Sequence, residues 1–327
     1  MKVMKSCTII VKTVLLAALL TTTGLAQAQA WPSNRIRLII PYPPGGSQDP
    51  MGRLVAERLT EKLGHPVFVD NRVGGSGIVG TEAMVRAAPD GYTIMLASSS
   101  LAITSMLMHT SFDLTKDFAW IGTFARTGFI LVAHPAVPAN TLQEFIALAK
   151  AKPGQLNYSS ASTGSAPHLA TASFESLAGI RLAHIPYNGG GPSLTAVIGG
   201  QVEVSFQTPV AAIPMIRANR LKGIAITGDK RIAALPQMPT FVEAGLPTFN
   251  LVNWYGVAAP AGTPKPILDR LSAEISQIAN NREVQEKLAG QGMEAYFTTP
   301  EQFNALVRSD LTTYGAVIKA GNIKMSQ

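Results

Sequence analysis

Chemistry in this chain is concentrated in short runs of glycine, serine, threonine and tyrosine rather than in charged side chains. The first is Pro41-Tyr42-Pro43-Pro44-Gly45-Gly46-Ser47-Gln48-Asp49-Pro50. Gly45 and Gly46 accept φ > 0 and leave backbone N–H groups uncovered. Asp49 reads as an N-cap and Pro50 as the first helical residue. A glycine loop against a helix N-terminus is an anion site built of backbone, with a dipole contribution of roughly 0.3–1 kcal/mol. These residues alone fit an ordinary βα turn equally well. The same device recurs at Asn71-Arg72-Val73-Gly74-Gly75-Ser76-Gly77, where Ser76 reads as an N-cap, and at Ser98-Ser99-Ser100. It returns at Ser159 to Ser165, at Tyr187-Asn188-Gly189-Gly190-Gly191 and at Gln207-Thr208-Pro209. Hydroxyls and N–H groups of this kind satisfy carboxylate oxygens without a cation to desolvate.

Catalytic signatures are missing from the sequence. It holds no G-x-S-x-G, no H-E-x-x-H and no P-loop. Soluble NAD is not expected outside the cytoplasm, so no cofactor is expected at the Gly74-Gly75-Ser76-Gly77 run. Histidines 65, 109, 134, 168 and 184 include no i, i+4 pair for a metal. His168, beside Ser165 on a helix, reads as a packed histidine behind a cap. Arg72 reads either as a ligand contact or as half of a structural ion pair, and Asp49 either as a ligand contact or as a cap alone.

The elements that must position these loops follow from hydropathy. Strands Leu38–Ile40, Val67–Val69 and Tyr92–Ala97 each run into one of the loops, and helices follow the first two. Phe112–Trp120 reads as a polar connector. Phe129–Ala133 and Trp254–Ala258 are isolated apolar strands that bracket a second α/β run, and they read as two crossing hinge strands. The expected domains are residues 31–128 plus 252–327, and residues 129–251, both α/β. Loops at the carboxyl ends of parallel strands line a ligand crevice.

Composition narrows the compartment. Lys2 and Lys5, the apolar run Thr13–Leu20 and Ala28-Gln29-Ala30 form a secretory signal with cleavage before Trp31. No later stretch is long enough to span a membrane. The only cysteine, Cys7, lies in the signal, so the mature chain has no disulfide and depends on its core. Of the net charge of +7, Lys2, Lys5 and Lys12 belong to the signal. The remainder is scattered, which argues against nucleic acid and suits a small anionic ligand.

Several motifs together carry a family resemblance. They are Arg37 to Gly46 with Asp49, Asn71-Arg72 with Gly74 and Gly75, and Ala88-Pro89-Asp90-Gly91-Tyr92-Thr93. Asn157-Tyr158-Ser159-Ser160 with Gly164-Ser165 and His168-Leu169, and His184-Ile185-Pro186-Tyr187, belong to the same set. So do Pro239-Thr240 with Glu243-Ala244-Gly245, and Pro260-Ala261-Gly262-Thr263-Pro264. In this order they resemble the Bug-type solute-binding receptors of tripartite tricarboxylate transporters. The resemblance implies a two-domain periplasmic-binding-protein fold, a type II Venus flytrap. It implies a non-enzymatic receptor in the periplasm that presents a carboxylate to membrane permease subunits. In the family the first βα loop and the serine loop of the second domain hold one carboxylate, partly through water. Carried over, these are Tyr42 to Asp49 and Ser159 to Ser165. A lysine commonly follows the Pro-Tyr in the family; here that position is Asn188.

The expected ligand is a mono- or dicarboxylate, aliphatic or aromatic, bound by a monomer. Its expected contacts are Tyr42, Pro43, Gly45, Gly46, Ser47, Asp49, Gly75, Ser76, Ser98, Ser99, Ser159, Ser160, Thr163, Gly164, Ser165, Tyr187, Asn188, Gly189 and Thr208. Among them, the N–H groups of Gly45 to Ser47 and the hydroxyls of Ser159, Thr163 and Ser165 are the expected carboxylate donors. Two alternatives use the same scaffold: a secreted hydrolase or isomerase acting through His168 or His184, and a ligand sensor for a membrane kinase.

Overall fold

The computed structural model describes residues 31–45, 48–249 and 251–320. The signal segment and two of the loop residues, Gly46 and Ser47, lie outside the described residues. The compact unit begins at Asn34.

The first half builds three strand–loop–helix units. Strand β1 (Ile36–Ile40) is buried except for Arg37 and leads to helix α1 (Gln48–Leu63), which Gly64 ends with φ +69°. Strand β2 (Val67–Asn71) passes through a 3₁₀ turn, Gly75–Gly77, into α2 (Ile78–Val85). Strand β3 (Thr93–Ser98), fully buried, runs directly into α3 (Ser99–Leu107). Strand β4 (Phe118–Thr127) follows, overlapping the expected connector. Its apolar residues are buried on both faces, so it shows no alternation. Gly122 lets the Thr298 carbonyl come within 2.9 Å of where a Cβ would stand.

The chain then enters a second sheet through β5 (Ile130–Ala133) and α4 (Leu142–Ala151). Three more units follow. These are β6 (Asn157–Ser160) with α5 (Ala166–Ala178), β7 (Ala183–Pro186) with α6 (Gly190–Ile198), and β8 (Val204–Gln207) with α7 (Pro209–Arg217). Strand β9 (Lys222–Ile226) ends the second sheet, and β10 (Asn253–Pro260) returns to the first. Helices α8 (Lys265–Asn280) and α9 (Arg282–Gly290), the short β11 (Glu294–Ala295) and α10 (Pro300–Ala320) complete the fold.

The sheets have the orders β11-β4-β10-β3-β1-β2 and β7-β6-β8-β5-β9. In the first, β1 pairs parallel with β2 and β3, and β10 runs antiparallel to β3 and β4. In the second, β6 pairs parallel with β7 and β8, and β5 runs antiparallel to β8 and β9. The result is the two-domain binding-protein architecture, with two passages between the sheets. The expected hinge strands lie beside these passages, one in each sheet as β5 and β10. The passages themselves are Gly128–Phe129 and the segment after β9, and they are tied together. Thr227 N–H donates to the Phe129 carbonyl at 2.9 Å, and Phe129 N–H donates to Thr227 Oγ1 at 2.8 Å. Thr227 Oγ1 donates in turn to the Leu251 carbonyl. One apolar cluster runs through both lobes, from Met95 and Trp120 to Phe145, Phe174 and Phe206.

Candidate functional site

Six parallel strands, three per sheet, end in the loops singled out above, and each feeds a helix N-terminus (α1, α2, α3, α5, α6 and α7). The loops of the two lobes face one another. Ser76 Oγ donates to Ser162 Oγ at 3.1 Å across the crevice. A Cβ on Gly189 would lie 3.8 Å from Pro43 Cγ. The structure thus brings the loops that carry Tyr42, Pro43, Gly75, Ser76, Ser98 and Ser99 to one wall. It brings those that carry Ser160, Thr163, Gly164, Ser165, Tyr187, Asn188, Gly189 and Thr208 to the other, with Ser98, Ser99 and Ser160 themselves buried behind the surface.

On the first wall, Asp49 is the brace of its loop. It lies inside the first turn of α1 rather than before it, which corrects the expected N-cap. Its Oδ2 accepts from Gly45 N–H at 3.3 Å and from Arg53 Nε at 3.0 Å, and Oδ1 accepts from Asn71 Nδ2 at 3.3 Å. Asn71 Nδ2 also donates to the Tyr42 carbonyl at 3.0 Å. Burial works against the charge on Asp49, but the bonds from Arg53, Gly45 and Asn71 outweigh it and hold the carboxyl below its ordinary value. Gly45 N–H is therefore spent inside the protein and is not an expected ligand donor after all. Arg72 is also accounted for: its Nε donates to Asp70 Oδ2 at 2.8 Å. Ser76 is not an N-cap; it takes φ +54° and Gly77 caps α2. The Ser76 carbonyl accepts from the Tyr42 hydroxyl at 3.2 Å. Burial pushes that phenol up to about 12, so it stays a donor. Ser98 accepts from Gln48 Nε2 at 2.8 Å, and Ser99 Oγ donates to Asn253 Oδ1 at 2.6 Å.

Gln48 was missed by sequence reasoning. It is only 6% exposed, and its Oε1 is buried without a hydrogen-bond partner among the described residues. Its sequence signal was position alone, between a glycine loop and a helix.

On the second wall, Ser159 is fully buried and belongs to a network beneath the loop. Its hydroxyl donates to the Ser193 carbonyl at 3.0 Å and accepts from Ser193 Oγ at 2.9 Å. Ser205 Oγ donates to the Ser159 carbonyl at 2.8 Å, and Gln207 Nε2 donates to Ser205 and Ser193 at 2.9 and 3.1 Å. Ser165 Oγ closes its own turn onto the Ser162 carbonyl at 2.7 Å. Ser160 Oγ also reaches that carbonyl, at 2.9 Å. A hydroxyl has one proton, so Ser159 and Ser165 are corrected from ligand donors to builders of the loop. Gly164 N–H is likewise spent, on His168 Nδ1 at 3.0 Å. Gly189 N–H donates to the Ala161 carbonyl at 2.7 Å. Thr163 differs: its hydroxyl makes no hydrogen bond among the described residues. The Thr208 hydroxyl likewise caps nothing.

The Ser160 and His184 contact, Oγ to Nε2 at 2.7 Å, has the reach of a nucleophile and base. It lacks the rest of such a site. Ser160 is fully buried, its proton is placed on the Ser162 carbonyl, and among the described residues no carboxylate orients His184. No group of side chains among the described residues could hold a metal ion, and no described helix is long and apolar enough to cross a membrane.

Known proteins share this fold. A family model described as the tripartite tricarboxylate transporter family receptor matches residues 51–323. BugT of Bordetella pertussis is 32% identical over 312 residues, covering 94% of this chain and 96% of that protein. An R. palustris protein solved with adipate superposes with a TM-score of 0.86 at 28% identity, covering 90% of this chain and 99% of that one. MatC from Rhodopseudomonas palustris, solved with bound malate, gives 0.82 at 27%, covering 88% and 100%.

Proposed function

As a member of the tripartite tricarboxylate transporter receptor family, the chain is an extracytoplasmic solute-binding receptor for a carboxylate-bearing small molecule, and we propose that it grips one carboxylate with neutral donors before delivering it to the membrane permease subunits. The observation that carries this reading is electrostatic. Six helix N-termini open on the crevice, and each favours negative charge. The one cationic side chain among the described residues of the loops, Arg72, is already paired with Asp70, and the one anion, Asp49, is held by Arg53, Gly45 and Asn71. A carboxylate is then neutralised by dipoles, hydroxyls and N–H groups, with no buried cation to desolvate.

The donors we assign are those that the loops have not spent on themselves: the Thr163 hydroxyl, the Thr208 hydroxyl and the Ser162 hydroxyl, which only accepts from Ser76. Gln48 supplies an amide oxygen that needs a donor, from water or from a polar substituent of the ligand. Asn188, exposed at the mouth, offers an amide where a cation would select a second carboxylate. The domains are taken as residues 31–128 plus 252–327 and residues 129–251. The ligand range extends from mono- to dicarboxylates, aliphatic or aromatic, bound by a monomer in the periplasm after cleavage before Trp31. The relatives are receptors rather than enzymes, and mass spectrometry after incubation should return any bound carboxylate unchanged.

Calorimetry on two variants tests the site. A hydrogen bond to a charged group is worth about 1.5–3 kcal/mol, so Thr163→Val should weaken binding about ten- to a hundredfold with the fold intact. Arg72→Gln should leave affinity within about threefold, because its charge is committed to an exposed pair. Loss of binding in Arg72→Gln with full affinity in Thr163→Val would reverse the assignment.

A further inference from the structure

Binding, as assigned above, leaves two histidines unused, His168 buried and His184 half-buried. His168 on α5 and His184 on β7 stack face to face, with ring centroids 4.1 Å apart and planes inclined by 9°. Tyr158 on β6 extends the stack from His184 at 4.8 Å and 19°. Two positive rings at that separation would repel strongly in a buried site, so the arrangement calls for neutral imidazoles. Burial acts in the same direction and pushes both rings down to about 4.

The ring edges are as informative as the faces. His168 Nδ1 accepts from Gly164 N–H at 3.0 Å, so that nitrogen carries no proton and the ring is the Nε2–H tautomer. His184 Nε2 lies 2.7 Å from Ser160 Oγ. The Ser160 proton goes to the Ser162 carbonyl, at 2.9 Å, which leaves His184 Nε2–H as the donor to Ser160. One ring therefore holds Ser160, where β6 ends, and the other holds Gly164, four residues on. Between them lie Ser162, which meets Ser76 across the crevice, and Thr163, whose hydroxyl is unspent. Gly164 takes φ +76°, a conformation the loop needs its neighbours to fix.

We propose that the stacked His168–His184 pair is a positioning device that clamps both ends of the 160–165 loop so that Ser162 and Thr163 are held ready for the ligand. Neither ring touches the ligand in this account. Each acts through the backbone or hydroxyl that it holds. The proposal rests on the reading that this loop lines the carboxylate crevice, but its decisive measurements need no ligand.

The first measurement is the nitrogen-15 spectrum of the two imidazoles in the full mature protein at pH 7. Both should be neutral with the proton on Nε2; a charged ring, or His168 protonated at Nδ1, would overturn the clamp. The second is amide exchange in His168→Leu and His168→Asn. Leucine removes the acceptor, whereas the asparagine side-chain oxygen can replace it. Gly164 exchange should rise about tenfold or more in the leucine variant while α5 and β8 stay protected, and asparagine should restore most of the protection. Equal protection in both variants, or loosening of the whole lobe, would reduce the pair to packing. Should the leucine variant not fold, the tautomers and the asparagine variant still decide. Malate and adipate titrations on the same proteins should fall and recover in the same order. A wild-type protein that binds no carboxylate would refute the functional reading and leave the exchange result to judge the clamp.

Discussion

Asp310 accepts a hydrogen bond from Trp254 Nε1 at 2.7 Å, and burial raises its carboxyl to about 6 despite that bond. An unfolded aspartate titrates near 3.9, so the folded protein binds the extra proton. Its stabilising contribution is complete below about pH 4 and is lost as pH rises through 6. Asp310→Asn keeps an acceptor for Trp254 and cannot ionise. Between pH 4 and pH 8 the wild type should lose up to about 3 kcal/mol relative to the variant. Urea unfolding at both pH values measures this, and parallel pH curves would contradict it. Single residues were also where sequence reasoning was least specific. The serine loop was legible as polar and glycine-bearing, but which hydroxyls were spent was not. Ser159 meets Ser193, 34 residues away, and Ser205, 46 away, and no local pattern encodes such partners. Asp49 could be read as a capping residue, and its bond to Arg53 is a local i, i+4 pair within α1, but its bond to Asn71 arises only when α1 meets the end of β2.

The elements were read best where a buried parallel strand ended at a glycine or serine cluster. Both β1 and β3 gave that signal. The ten-residue strand β4 did not, because its two faces are both covered and Gly122 interrupts it for contact with the Thr298 segment. Helix α3 opens with Ser99 and Ser100, which read as loop until Leu101 to Thr104 are seen buried. The link between lobes carries its own prediction. A Cβ on Gly128 would stand 1.9 Å from the Thr227 carbonyl oxygen, which itself belongs to the tied crossing. Gly128→Ala must move one crossing segment and should cost more than about 2 kcal/mol. Gly154→Ala meets open space at φ +72° and should cost only about 1 kcal/mol, from backbone strain. Thermal unfolding of the pair checks the contrast; equal losses would mean that the crossing is not tightly constrained.

At the scale of the whole molecule, two sheets present strand ends and helix N-termini to a shared crevice, and the lobes touch there through Ser76 and Ser162. A ligand bridging both walls favours closure by its differential affinity for the closed state. Small-angle scattering should show a smaller radius of gyration in the saturated protein than in the free one, and identical values would indicate a preformed pocket. The central claim, capture of a carboxylate by neutral donors, is tested most directly by thermal shift. The panel should contain mono- and dicarboxylates, aliphatic and aromatic, each beside its uncharged carboxamide. At least one carboxylate should stabilise the protein, by about 2.7 kcal/mol at a hundred times its dissociation constant, and its carboxamide should not. Stabilisation by no carboxylate in the panel, or equal stabilisation by the matching amide, would contradict the account.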